Sequence, residues 1–167
     1  MPEIHYLDFD LLIERSEEGY KARVLGSPAG YAAQGFALPF SELELENFVL
    51  RVGQTRRGVR RLESPEMEAA KAFGERLFNA VFQGEVRGCF RSSLDKANQQ
   101  GAGLRIRLRL DAQELTDTPW EYLYNQASER FLCLSVRTPL VRYLDLPGQI
   151  QPLKIKPPLR VLAMISK

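Results

Sequence analysis

The residues of this chain that could carry out catalysis are few and widely spaced. A cysteine nucleophile needs a neighbouring base, and the chain has a single histidine, His5, and two cysteines, Cys89 and Cys133. Cys89 falls in a predicted helix and Cys133 between leucines in a predicted strand, so both read as small apolar core residues. Their spacing fits neither a zinc site nor a disulfide framework. We therefore predict that this chain alone is not a peptidase and holds no metal and no cofactor.

Two groups of arginines are the other candidates for a functional role. Four lie in the loop GQTRRGVRR and three alternate with apolar residues in LRIRLRL: Arg56, Arg57, Arg60, Arg61, Arg105, Arg107 and Arg109. Both groups are candidate contacts for an acidic partner or nucleic acid. However, no aromatic residue alternates with the arginines of the loop to stack on bases, and the net charge of +2 is small. The alternative, which the pattern favours, is a solvated loop and a solvent-facing strand paired with acids on its neighbour.

The only tryptophan lies in the stretch TPWEYLY. Thr118 as the cap, Pro119 as the first helical residue and Glu121 as the reciprocal partner would form a capping box at the start of a short helix. Trp120 would then pack against a sheet, and its indole N–H would need one acceptor. Local chemistry therefore favours a scaffold role for this stretch over an active site.

Alternating apolar residues predict an antiparallel β-meander in the first forty residues. Two helices follow, each with a start signal. Ser41 and Glu44 form a capping box for the first, and Ser64-Pro65 opens the second, which Gly84 interrupts. The predicted fold class is α+β, an antiparallel meander and further strands packed with helices.

Four further strands are predicted after the helices, at 104–110, 131–134, 139–144 and 159–166. The last, LRVLAMIS, follows a proline-rich linker and is apolar almost throughout, which is typical of a strand buried on both faces of a parallel sheet. Such a strand needs a crossover connection and a neighbouring strand. The sequence therefore looks as if it ends at the first strand of an α/β domain.

The second half of the chain resembles the opening of CHAT-domain proteins, which are caspase-like and related to separase. The resemblance lies in the order of four segments: TPWEYLY, FLCLSVRTPLVRYL, the proline linker and PLRVLAMIS. Trp120 and Glu121, with the later pair Arg142 and Tyr143, carry the resemblance. The region before them resembles the leader found ahead of bacterial CHAT domains. The resemblance implies a leader domain at 1–103 and a truncated opening segment of the CHAT-like domain at 104–167.

The resemblance also implies a function. The catalytic histidine and cysteine would come later than residue 167, Trp120 and Glu121 would anchor the leader, and residues 159–165 would form the first core strand of a caspase-like α/β sheet. The chain would then be the non-catalytic N-terminal portion of a bacterial cysteine peptidase, bracing or regulating the protease domain. Its partner would be a protein, either the remainder of the CHAT domain or another chain.

Two alternatives to this function stay open at the level of sequence. One is a stand-alone protein-interaction module that uses an exposed strand edge. The other is a basic nucleic-acid-binding module, whose affinity would fall steeply with salt. The N-terminus MPEIHYLDFD does not resemble a signal peptide, and no apolar run is long enough to span a bilayer. We therefore predict a cytoplasmic location without membrane contact.

Overall fold

A computed structural model describes residues 4–53 and 65–143 of the chain. Within these residues a five-stranded mixed sheet, a two-stranded ribbon and three helices form an α+β fold, as predicted. The helices are α1 (Glu42–Gly53), α2 (Pro65–Val81) and α3 (Gly84–Gln99). The strands are β1 (Tyr6–Ser16), β2 (Gly19–Gly26), β3 (Ala32–Phe36), β4 (Gly103–Leu110), β5 (Tyr124–Asn125), β6 (Arg130–Phe131) and β7 (Leu140–Arg142).

The large sheet combines an antiparallel half with a parallel half. Its strand order is β3-β2-β1-β4-β7. β1, β2 and β3 pair antiparallel, which confirms the predicted meander. β4 is parallel to β1, and β7 is parallel to β4. The predicted domain boundary after residue 103 stays a prediction, although Gly103 itself begins β4, whose neighbours in the sheet are β1 and β7.

The core lies on one face of this sheet. Alternate residues of β1 and β4 point into it, so that Phe9 and Ile106 face each other in the register and are fully buried. Helices α2 and α3 cover that face with their apolar stripes, and the ring of Phe90 meets the ring of Phe9 edge to face at 5.5 Å. Burial of each such side chain contributes about 1.5–3 kcal/mol.

Helix α1 begins with the predicted capping box. The backbone N–H of Ser41 donates to the Glu44 carboxylate at 2.8 Å, and the Glu44 N–H donates to the Ser41 hydroxyl at 3.3 Å. The pKa of Glu44 is lowered, first because its carboxylate accepts from the Ser41 backbone and hydroxyl and then because Arg76 donates to it. Since Arg76 belongs to α2, the same carboxylate that caps α1 also links it to α2.

One predicted strand and one predicted core residue are wrong. Only Arg130 and Phe131 pair as a strand, and Leu132–Leu134 form a 3-10 turn that leaves Leu134 78% exposed. The chain turns here because the N–H of Ser135 donates to the Leu132 carbonyl. The residues that pair with β4 follow this turn in the sequence. Cys133 is therefore only half-buried. Cys89, the other predicted core cysteine, is also half-buried but packs against the core.

Several predicted features lie outside the described residues. These are the arginine loop, with Arg56, Arg57, Arg60 and Arg61, and the predicted strand at 159–166 with the linker before it.

Candidate interaction surface

The TPWEYLY stretch does not begin with the predicted capping box. Trp120–Tyr122 form a single turn of 3-10 helix, and no side chain caps it. The hydroxyl of Thr118 is buried and has no hydrogen-bond partner, while the Glu121 carboxylate turns away to Arg142 at 2.8 Å. The prediction fails because the turn is only three residues long and because Glu121 has a charged donor on another strand, which is a stronger partner than a backbone amide.

This difference has a measurable consequence for Thr118. A buried hydroxyl without a partner destabilises a fold by about 1–3 kcal/mol. We expect Thr118→Val, which keeps the shape and removes the hydroxyl, to raise the free energy of unfolding by about 1 kcal/mol in urea titrations. A capping threonine would give the opposite sign, a loss of about 1 kcal/mol. Thr116→Val, at the preceding threonine, is the matched control.

Trp120 fixes the stretch to the core. Its side chain is completely buried, and its indole N–H donates to the carbonyl of Leu115 at 2.9 Å. This is the single acceptor that the sequence required. Leu115 is itself buried at the end of a short 3-10 turn, Gln113–Leu115, so the tryptophan ties two turns of the chain together.

Helix α2 approaches the same stretch more closely than a side chain would allow. Gly74 lies inside α2, and a Cβ atom built on it would lie 1.8 Å from the carbonyl oxygen of Tyr122 and 2.9 Å from the Cβ of Tyr124. Gly74 was not predicted from the sequence to have a role. A lone glycine inside a helical pattern was the available signal, since alanine is the better helix former unless packing forbids it.

Arg142 is the residue that joins β7 to the TPWEYLY stretch. Its guanidinium donates to the carbonyls of Thr116 at 2.8 Å and Thr118 at 3.1 Å, and to the carboxylate of Glu121 at 2.8 Å. The ion pair with Glu121 is partly exposed, so it contributes at most about 1 kcal/mol. The two contacts with carbonyl groups fix the position of the Arg142 guanidinium against the TPWEYLY stretch. The structure thus brings together Trp120, Glu121 and Arg142 as one cluster.

Tyr143, the fourth residue of the resemblance, lies on the other face of the sheet. Its backbone N–H donates to the Leu108 carbonyl at 3.0 Å, and the centre of its ring lies 4.7 Å from the Arg107 guanidinium carbon. This is the geometry of a cation–π contact. Arg142 and Tyr143 therefore fasten β7 from both faces of the sheet.

The arginines of β4 are paired with acids. Arg105 donates to both oxygens of Asp8, at 2.7 and 3.0 Å, and Arg109 donates to both oxygens of Asp111. Arg107 lies 3.1 Å from an oxygen of Asp10 that has no hydrogen bond of its own. Burial raises the pKa of Asp10, and Arg107 opposes that shift.

These pairs agree with the solvent-facing alternative for LRIRLRL, and two of the three acids are on the neighbouring strand β1. A partner contact for Arg105, Arg107 and Arg109 stays a prediction.

β7 ends the sheet among the described residues, since no further described strand pairs with it. The N–H groups of Ile106 and Leu104 donate to the carbonyls of Pro139 and Arg137. Tyr143 donates to β4 in the same alternating pattern. The intervening Leu140 and Arg142 therefore point their backbone N–H and C=O groups away from β4.

Three exposed apolar side chains lie on β7 and the turn that leads to it. Leu134, Val136 and Val141 are 78%, 70% and 42% exposed. We refer to these three side chains together with the outward backbone groups of Leu140 and Arg142 as the β7 edge.

Neither thiol has the surroundings of a nucleophile. Cys133 donates to the carbonyl of Glu121 at 2.9 Å, and burial, with a smaller contribution from the Glu121 carboxylate, raises the pKa of its thiol. Cys89 contacts the hydroxyl of Ser27 at 3.2 Å and the carbonyl of Gly30. Within the described residues, no contact joins either thiol to His5, and no three metal-binding side chains gather in one place.

Comparison of the chain with protein-family models, with curated proteins and with solved structures finds no match. The CHAT-domain resemblance therefore stays a prediction. In the part of the chain that the structure describes, no helix combines the length and the apolar character needed to cross a membrane. What the fold and the surface define is an α+β domain in which β7, a strand parallel to β4, is the last described strand at one side of the sheet.

Proposed function

We propose that this chain is the non-catalytic N-terminal portion of a bacterial, cytoplasmic CHAT-family cysteine peptidase, and that it braces the protease domain through the β7 edge. The observation that carries the proposal is the β7 edge itself. Leu140 and Arg142 direct backbone groups outward from β7, and no described strand pairs with that side of β7. Exposed apolar side chains lie on β7 and on the turn that leads to it.

An edge of this kind recruits another strand because its backbone groups supply hydrogen bonds and its side chains supply specificity. Proteins usually protect such edges with charges, prolines or a covering element. Here Val141 at the edge and Leu134 and Val136 beside it are apolar. They favour contact with another protein surface.

The edge is also held in a fixed position before any partner arrives. Arg142 binds the Thr116 and Thr118 carbonyls, and the stretch that contains them is fixed by the buried Trp120. Preorganisation of this kind lowers the entropy lost on binding. A segment that holds a protease domain in place needs this rigidity, because the position of the segment determines the position of the protease domain.

A second candidate function uses the same edge. In it the chain is a stand-alone interaction module and the strand that docks belongs to an unrelated partner. The two functions differ in where that strand is encoded.

The proposal is tested by expressing the residues encoded after Lys167 as a separate chain and titrating them with residues 1–167 by calorimetry. We expect binding, and we expect the double variant Leu134→Glu/Val136→Glu to weaken it by at least about tenfold, because each buried apolar side chain contributes about 1.5–3 kcal/mol. Both side chains are exposed, so the variant should fold normally. Tyr31→Glu, at a side chain that is 83% exposed elsewhere, is the matched control.

Peptide cleavage is measured on the same samples. We expect no cleavage by residues 1–167 alone, and cleavage by the extended product that disappears when its downstream cysteine is replaced with alanine. Cleavage by residues 1–167, or binding that the edge variant leaves unchanged, contradicts the proposal. If the reading frame ends at Lys167, the stand-alone interaction module replaces the CHAT-family proposal.

A further inference from the structure

We infer that the start of β1 forms a docking site for the free C-terminus of an extended peptide that belongs to another protein. The peptide adds to the sheet as a short strand that runs parallel to β1, and its terminal carboxylate binds Lys96. This site does not depend on the proposed function, because it lies on the side of β1 that faces away from β4 and β7.

The first observation is a stretch of β1 that has a neighbour on one side only. Pairing between β1 and β2 ends at Asp10, opposite Gly26, next to a shift in register. Two residues further along, the position opposite Asp8 falls at Pro28, which has no N–H to donate. Within the part of the chain that the structure describes, no strand pairs with residues 6–8 on the side away from β4.

The main-chain groups of Tyr6 and Asp8 face this unpaired side. The N–H of Gly103 in β4 donates to the carbonyl of His5, so the odd-numbered residues of β1 direct their main-chain groups to β4. The even-numbered residues direct theirs the opposite way, because these groups alternate along a strand. No hydrogen bond between described residues takes up the N–H or C=O of Tyr6 or Asp8. Two residues of β1 can therefore pair with an added strand.

An open cleft of about 610 Å³ lies beside this edge. Its volume is typical of a small-ligand site, and it can hold a few residues of an extended peptide. β1, the loop 27–30 and the last turn of α3 line it, with the residues Leu7, Asp8, Pro28, Lys96, Gln99 and Gln100.

The loop 27–30 is held against α3, so the cleft is formed before a ligand arrives. The N–H of Ala29 donates to the hydroxyl of Ser93 at 3.3 Å, and the ammonium of Lys96 donates to the carbonyl of Pro28 at 2.9 Å. Because these contacts fix the loop, a strand that is added to the start of β1 must end against Pro28.

Lys96 lies at the position where such a strand ends. Among the described residues its ammonium has one hydrogen bond, to Pro28, and no salt bridge. An ammonium has three N–H groups, so two are left for a ligand, and a carboxylate forms the stronger, charge-assisted hydrogen bond. The chain end that meets Lys96 is therefore a C-terminus, since an N-terminal ammonium would meet a like charge. A peptide with its C-terminus at Lys96 runs from Tyr6 towards Asp8, parallel to β1.

The carboxylate of Asp8, which also lines the cleft, does not repel the ligand strongly. Arg105 donates to both of its oxygens, at 2.7 and 3.0 Å, and Arg107 lies 3.7 Å from one of them. The charge of Asp8 is thus balanced within the sheet, and the charge of Lys96 is left for the ligand.

Selection of random heptapeptides with free C-termini on immobilised residues 1–167 tests the inference. The enriched peptides are synthesised as acids and as C-terminal amides. We expect the acids to shift the NMR amide signals of Tyr6 and Asp8 and to slow their hydrogen exchange at least about tenfold, because a hydrogen-bonded amide exchanges only after opening. The amidated peptides should bind at least about tenfold more weakly, because they cannot form the charge-assisted hydrogen bond.

Lys96→Met identifies the group that binds the carboxylate, since it removes the charge and keeps the length of the side chain. We expect it to weaken binding of the acid peptides at least about tenfold and to leave binding of the amidated peptides unchanged. Lys71→Met, at a lysine of α2 whose ammonium binds Glu68, is the matched control and should change neither affinity.

Four outcomes overturn the inference. The selection may enrich no peptide. Exchange at Tyr6 and Asp8 that is already slow in the free chain shows that the edge is covered. Equal affinity of acids and amides shows that a terminal carboxylate is not recognised. Peptides that shift the amide signal of Val141 and leave Tyr6 and Asp8 unchanged bind at the β7 edge, in which case the inference fails and the proposed function stands.

Discussion

Replacing Gly74 with alanine is expected to destabilise the fold by about 3 kcal/mol, the upper end of the usual range for an overpacked site, although alanine is normally the better residue inside a helix. The added Cβ would lie 1.8 Å from the Tyr122 carbonyl oxygen, which is a backbone atom and cannot rotate aside. Either α2 or the Trp120–Tyr122 turn must therefore move. Urea unfolding followed by circular dichroism measures the change in free energy.

The chain offers a matched control in Gly88, which lies inside α3. A Cβ atom at Gly88 would meet nothing within 4 Å, so Gly88→Ala is expected to stabilise the fold by about 0.5–1 kcal/mol through helix propensity alone. The same substitution in two helices should thus give opposite signs. Equal effects at Gly74 and Gly88 would mean that α2 does not approach the TPWEYLY stretch as closely as described.

The elements that the sequence predicted correctly are those set by neighbouring residues. The meander follows from strict alternation, and the start of α1 follows from a cap whose two partners, Ser41 and Glu44, are three residues apart. LRIRLRL follows from its period of two, and the acids that pair with two of its arginines, Asp8 and Asp10, alternate in the same way on β1. In each case local propensity and the tertiary fold agree.

The features that the sequence did not predict depend on residues far apart in the chain. Thr118 and Glu121 have the spacing of a capping box, but Arg142 provides Glu121 with a charged donor from another strand. Gly74 is required by the backbone of Tyr122, which no local pattern records. The parallel placement of β4 between β1 and β7 is likewise a matter of topology, which periodicity within one strand does not determine.

The candidate surface could be predicted only in part for the same reason. Trp120, Glu121, Arg142 and Tyr143 were singled out by resemblance, and the structure gives the first three a shared role in holding β7. The exposure of the apolar side chains beside β7 was not predicted, since the 131–134 stretch read as a strand. Its turn leaves Leu134 in solvent and so supplies one of the three exposed side chains of the β7 edge.

Replacing Trp120 with alanine is expected to lower the free energy of unfolding by about 3–5 kcal/mol, a large fraction of the stability of a domain of this size. The side chain is fully buried, so the substitution leaves a cavity, and the Leu115 carbonyl loses its indole donor. Because the chain has no other tryptophan, unfolding must be followed by circular dichroism. Trp120→Phe retains most of the apolar volume but not the N–H. Its free energy of unfolding should lie between those of the unmodified chain and Trp120→Ala, with a loss of about 1–3 kcal/mol.

The Trp120→Ala variant should also loosen the β7 edge, because Trp120 holds the stretch whose carbonyls bind Arg142. Amide exchange at Tyr143, whose N–H donates to the Leu108 carbonyl, is expected to accelerate more than exchange at Phe9 in β1. Tyr31→Ala, at an exposed ring, is the control and should change neither. A Trp120→Ala variant that unfolds within about 1 kcal/mol of that control would contradict the anchoring role of the tryptophan. A stable variant with unchanged exchange at Tyr143 would show that Trp120 does not hold the β7 edge, and that the contacts of Arg142 and Tyr143 hold β7 without it.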